Sequence, residues 1–191
     1  MAREPTVLIV DDEGVVADVY ARLLGEDHDC RVAYSAEAAI EAYGPDIDVV
    51  LLDRRMPDMS GDDLLATLRE MDAEARIAMV TAVQPDFDVL DMGFDDYLVK
   101  PVSPDELAGT VAKLLELSAY SAEVRRYYSL ATKRACLEAE KSMHELEANE
   151  DYRRLLSDLS RLESDLDRTL AEFREADYED VFRDIQPEQP S

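Results

Sequence analysis

Three aspartates, a threonine and a lysine stand where short apolar runs end. Asp11 and Asp12 follow TVLIV and are themselves followed by Glu13; Asp53 closes DVVLL, Thr81 closes RIAMV, and Lys100 follows YLV. Runs of this kind read as strands, so all five residues fall on the carboxyl rim of a parallel sheet, where open α/β sheets bind their ligands. Carboxylates gathered on one rim repel one another unless a cation lies among them. An oxygen-only donor set with few protein groups suits Mg²⁺, which keeps several waters and bridges to phosphate. With its charge compensated, one carboxylate can act as a nucleophile toward phosphorus. The Lys100 ammonium can neutralise a non-bridging phosphoryl oxygen, and the Thr81 hydroxyl can donate to another. Phosphoryl transfer needs mainly such positioning and electrostatics. A lone aspartate at a strand end is usually a loop residue or a helix cap; three on one rim beside a lysine argue for chemistry.

The elements that must carry these residues alternate regularly. Residues 6–10 read as a strand and 13–25 as a helix, with Val15, Val16, Val19, Tyr20, Leu23 and Leu24 at helical spacing. Residues 31–34 form a weak second strand, and Ser35 can cap a helix over 36–43 that ends at Gly44-Pro45. Residues 48–53 are a strand, apolar enough to be buried on both faces. A helix over 62–71 turns Leu64, Leu65 and Leu68 inward, and 76–81 is the fourth strand. Pro85 can open a short helix that ends at Gly93; 97–99 is the fifth strand and 104–117 the fifth helix. Five strands each followed by a helix predict an α/β fold, a parallel sheet covered on both faces by right-handed crossovers.

Four motifs on this frame, IVDDE, LLDRRMPDMSG, VTA and DDYLVKP, resemble the receiver domain of bacterial and archaeal response regulators, in order and over roughly residues 5–117. The resemblance implies a flavodoxin-like (βα)5 sheet of strand order 2-1-3-4-5 and a phosphorelay with a partner histidine kinase. It implies Asp53 as phosphoacceptor. It further implies Mg²⁺ held by Asp12 and Asp53, by Asp11 through water and by the backbone carbonyl of Arg55. Thr81 and Lys100 would bind the phosphoryl oxygens, and the bond before Pro101 is usually cis in the family. Tyr97 occupies the place of the aromatic switch residue, which follows Thr81 inward on phosphorylation; a tyrosine on a strand also has the plainer reading of half-buried core. The Asp-Mg²⁺ layout is shared with haloacid-dehalogenase-type phosphatases, but the acid those enzymes carry two positions after the nucleophile is Arg55 here. No enzyme activity is therefore expected beyond self-phosphorylation and slow self-dephosphorylation. The chain departs from the family between Thr81 and Gly93, which is about one helical turn short. The fourth helix must be short, which puts the family's usual dimer in question.

After residue 117 the strand signals stop, and residues 118–185 hold no glycine or proline. Tyr152, Leu155, Leu159, Leu162, Leu166, Thr169 and Phe173 recur at steps of 3 and 4, a seam that must pack on another helix. Tyr127, Leu130, Ala131, Ala135, Ala139, Met143 and Leu146 form a second stripe, and Asn149 is a good N-cap. These features predict an antiparallel helical hairpin turning near Ala148-Asn149, or alternatively one long helix in an intermolecular coiled coil. Residues 1–117 thus form one domain and 118–186 an all-α module, with 187–191 a disordered tail. The stretches YYSLATKRACLEAEKS and ELEANEDYRRLLSDL resemble the HalX module found behind receivers in halophilic archaea. Two outputs stay open. Arg125, Arg126, Lys133 and Arg134 form a segment without an acid between its ends, as direct DNA binding would need. The leucine seam and an excess of acids in the module favour protein association, including a possible homodimer.

Composition sets the outer bounds. The 191 residues include 45 acids against 20 bases, a net charge of −25, and only four of the bases are lysine. That surface is what a salt-rich cytoplasm favours, or else simply an acidic protein, and it disfavours bulk nucleic-acid binding. Cys30 and Cys136 are far apart and read as reduced thiols. No run has the length of a membrane span and no signal peptide is evident, so a cytoplasmic protein is expected.

Overall fold

The computed structural model describes residues 3–71, 74–118, 120 and 122–183, with side chains as far as 168. The strands β1 (Thr6–Val10), β2 (Asp29–Ala33), β3 (Val49–Leu52), β4 (Arg76–Thr81) and β5 (Asp96–Val99) form one parallel sheet of order β2-β1-β3-β4-β5. β1 and β3 are buried along their whole length, which explains their unbroken apolar runs. β2 is a half-exposed edge, which explains its weak signal.

Alternate residues of each strand feed two separate cores. Val7, Ile9, Val49, Leu51, Ala78 and Val80 face α1 (Gly14–Leu24) and α4 (Pro104–Leu117). Leu8, Val10, Val50, Leu52, Ile77 and Met79 face α2 (Ala36–Ala42) and α3 (Gly61–Glu70). The helices start on local signals. Ser35 and Ser60 accept from Ala38 and Asp63 amides, and Ser103 makes a capping box with Glu106.

The short helix expected before Gly93 is a single 3-10 segment, Phe87–Asp91, capped by the Asp86 side chain. That leaves the sheet beside β5 uncovered, and the C-terminal helices cover it. α5 (Ala122–Glu140) packs on β5 and on the 3-10 segment, and α7 (Glu150–Arg183) packs on α5 and on the 3-10 segment. Leu137, Leu146, Tyr152, Leu155 and Leu159 thereby join the same core as α2 and α3. Among the described residues the helical module has no separate core; it completes that of the sheet.

The hairpin is antiparallel: Tyr152 Oη donates to Glu138, whereas Asp158, further along α7, lies near Arg126, further back in α5. Two details correct the sequence reading. The turn is not one break at Ala148-Asn149 but two, because α5 stops at Glu140 and a short α6 (Met143–Ala148) intervenes. Ser142 and Glu145 form a capping box that starts α6, leaving Met143 exposed. The inward stripe of α5 is also shifted. Ala135 and Ala139 are exposed, while Lys133 and Leu137 are buried. Reading Lys133 as a surface residue moved the stripe by a fraction of a turn. Asn149 does cap α7, accepting from the Tyr152 amide. Tyr152, Leu155, Leu159 and Leu162 are buried within the chain. The side chains of Thr169 and Phe173, and the tail 187–191, lie outside the described residues.

Candidate metal and phosphoryl site

The sheet delivers the five chemistry-bearing residues to one rim. Hydrogen bonds from the Asp53 amide to Val10 and from the Lys100 amide to Thr81 tie neighbouring strand ends together. At the end of β3 the chain must turn sharply into α3. A Cβ at Gly61 would lie 2.0 Å from the Asp53 carbonyl oxygen, so only glycine lets α3 start there.

Asp11, Asp12 and Asp53 each offer one carboxylate oxygen, and these oxygens lie within 4.8 Å of one another. Asp11 and Asp53 are buried and Asp12 is exposed at the mouth. Lys100 Nζ donates to Asp11 Oδ2 at 2.6 Å and lies 3.6 Å from Asp53 Oδ2. Burial pulls the Lys100 pKa down, but its bond to Asp11 and the charges of Asp11 and Asp53 outweigh that, and the net shift is upward. Burial raises the Asp11 pKa, and Lys100 and the Glu13 amide offset this only in part. The other Asp53 oxygen, Oδ1, is buried without a hydrogen-bond partner. An orphaned carboxylate oxygen beside two more carboxylates is what a hard divalent cation would satisfy, and the donor set fits Mg²⁺. Thr81 is wholly buried at the end of β4, its hydroxyl accepting from the Val83 amide. Arg55 stands on the β3–α3 loop with its side chain exposed. The Lys100-Pro101 bond is cis.

Tyr97 is already inward. It is 6% exposed, packs on Phe94, and donates from its hydroxyl to the Val83 carbonyl at 2.8 Å. An inward rotation on phosphorylation therefore has no outward starting point in this structure.

Arg54 is a residue the sequence reading passed over. It is buried, pairs with Asp62 through Nε and Nη2 at 2.8 and 2.6 Å, and reaches Asp88 at 2.5 Å and the Tyr97 hydroxyl at 3.4 Å. The Asp62 bonds, against the cost of burial, raise its pKa further. It thus links the residue after Asp53 to the 3-10 segment. An arginine adjoining Asp53 was visible in sequence, but its partners come from α3 and from the 3-10 segment, and no spacing rule joins them.

Comparison with known proteins agrees with this geometry. A profile of the response regulator receiver domain matches residues 7–112, and one of the HalX domain matches 116–182. A putative transcriptional regulator of Haloferax volcanii is 45% identical over 165 residues, covering 85% of this chain and 28% of that protein. The transcriptional regulatory protein CutR of Streptomyces coelicolor is 40% identical over 113 residues, covering 56% and 52%. The chain thus spans between about a quarter and half of these relatives. Among solved structures, a CheY-like receiver domain of Methanospirillum hungatei aligns at TM-score 0.57 and 25% identity, over 61% of this chain and 97% of that one. Thermotoga maritima TrrA, in complex with Mg²⁺ and a beryllium fluoride, aligns at TM-score 0.52 and 31% identity, over 58% and 99%.

Proposed function

The chain belongs to the response regulator receiver family, with a HalX domain behind the receiver, and from that premise we propose that it is a two-component response regulator phosphorylated on Asp53 by a partner histidine kinase in the cytoplasm. The observation that carries this reading is the orphaned Asp53 Oδ1 beside Asp11, Asp12 and Lys100.

An Asp53 oxygen attacks the phosphorus of the donor phosphohistidine. The new O–P bond forms as the P–N bond breaks, and the imidazole leaves with a proton. Lys100 moves from Asp11 toward the incoming phosphoryl oxygens, which lie within its reach on Asp53. The Thr81 hydroxyl, which accepts from the Val83 amide, donates to another of those oxygens, and its movement toward the phosphoryl group draws it away from Val83. Asp12 and Asp53, Asp11 through water and the Arg55 carbonyl would hold Mg²⁺, which when bound neutralises the clustered carboxylates and draws charge off the phosphoryl group. Only the chain's own phosphorylation and slow dephosphorylation are catalysed, because Arg55 offers no general acid. On α1, exposed Val15, Val19 and Leu23 form an apolar stripe that starts beside Asp12 and suits a protein partner.

The signal leaves through the helical module by protein association. Arg54, which reaches the Tyr97 hydroxyl, pairs with Asp88 of the 3-10 segment, and α5 and α7 rest on that segment. Loss of the Thr81–Val83 bond loosens the loop that the Tyr97 hydroxyl holds, and so the seat of α5. Direct DNA contact by the segment from Arg125 to Arg134 has less support. Lys133 is turned into the protein, and Arg134 lies 3.9 Å from Glu138. The acidic surface suits a salt-rich cytoplasm. Labelling with acetyl phosphate and Mg²⁺ tests the proposal: wild type takes up label and Asp53→Asn does not. Persistent labelling of Asp53→Asn would overturn it.

A further inference from the structure

We propose that a hollow between the receiver and α5 binds a small phosphate-bearing anion. The hollow, about 430 Å³, opens where β4 and α5 begin. Among the described residues its lining carries Arg69, Arg76, Arg125, Arg126 and Lys133 against a single carboxylate, Asp95. That is an excess of positive charge in a chain of net charge −25. Asp95 is itself buried and engaged, pairing with Arg69 at 2.9 Å and Arg76 at 3.3 Å and accepting from the Ile77 amide.

The pairing of the cations supports the same reading. With acids outnumbering bases more than two to one, chance alone gives most cations an acid neighbour. Lys100, Lys113, Lys141 and Arg54 all have one within 3 Å. Arg125 and Lys133 instead bond the carbonyls of Tyr120 and Leu90, and among the described residues the acid nearest Arg126 is Asp158, at 3.9 Å. Arg125 and Arg126 also fall in the first turns of α5, the end of a helix where cations are unfavourable. An anion in the hollow reverses that penalty and meets guanidinium forks that match phosphate oxygens. It would bridge receiver arginines to hairpin arginines and so fasten α5 to its seat. The approach of a DNA duplex is opposed by the negative charge of the rest of the surface.

Calorimetric titration of the full chain with inorganic pyrophosphate tests this, at fixed low KCl and with EDTA present so that the Asp53 site stays without metal. One saturable site is expected in wild type and equally in Asp53→Asn. The affinity should fall at least about tenfold in the double variant Arg125→Ser, Arg126→Ser, and stay unchanged in Arg153→Ser, Arg154→Ser, which alters net charge equally on the exposed face of α7. Circular dichroism establishes that both variants keep their helices. No saturable binding, or an equal loss in both double variants, would overturn the proposal. So would a short DNA duplex that binds more tightly than pyrophosphate through the same two arginines, since the site would then be a nucleic-acid contact.

Discussion

The ammonium of Lys133, on α5, donates to the backbone carbonyl of Leu90 in the 3-10 segment at 3.0 Å and lies over the Phe94 ring. One side chain of the helical module therefore closes a backbone carbonyl of the receiver. Burial pulls its pKa down, and Asp91 and Asp95 only partly counter this. Lys133→Met keeps the stem and removes the bond. It is expected to cost about 1.5–3 kcal/mol, the range for a hydrogen bond to a charged group. It should also speed hydrogen exchange in α5 more than in β1. Urea unfolding with exchange mass spectrometry reads both, and uniform exchange across the chain would contradict the assigned contact.

Arg54 gives the second expectation. Breaking a buried ion pair costs about 3–5 kcal/mol, but Asp62 and Asp88 are 40% and 52% exposed, so about 2 kcal/mol is the better figure for Arg54→Met. The loss should be shared with Asp88→Asn in a double-mutant cycle, with a coupling of about 1 kcal/mol. Additive losses would mean that the two side chains do not act together.

Cys136 gives the pH dependence. Burial pushes its thiol up to about 11, with Asp96 and Glu140 adding to the shift. The folded chain thus keeps a proton that the unfolded chain releases near pH 9. The stability tied to this thiol is whole below about pH 9 and drains as pH rises through about 11. The urea midpoint should fall across that window in wild type, and fall less in Cys136→Ala. Identical slopes would remove Cys136 as a cause.

Much of this was legible in the residues themselves. Strand ends placed Asp11, Asp12, Asp53, Thr81 and Lys100 on one rim because a polar residue that closes an apolar run marks where the strand ends. The shortage of residues between Thr81 and Gly93 announced a short fourth helix, which the structure reduces to a single 3-10 segment. What could not be read was what fills its place, because α5 reaches β5 through Tyr128, which donates to Asp96, and the 3-10 segment through Lys133, both from the helical module far along the chain. A buried lysine looks like a surface lysine in a sequence, and this misplaced the inward stripe of α5. The capping box at Ser142 and Glu145 was readable and was missed, since the helical periodicity on either side ran almost unbroken through it. Arg54 escaped because its partners meet only after the chain has turned at Gly61. The inward position of Tyr97 agrees with its plainer reading as a core tyrosine on a strand; the Val83 carbonyl that holds its hydroxyl is a property of the folded loop.

The most direct measurement is to trap the phosphoryl group by borohydride reduction after incubation with acetyl phosphate and Mg²⁺, and then to map the reduced residue by peptide mass spectrometry. The expected result is reduction at Asp53 alone, abolished by EDTA and strongly slowed in Lys100→Ala. Reduction at Asp11 or Asp12 instead, or labelling indifferent to the metal and to Lys100, would contradict the assignment of this site.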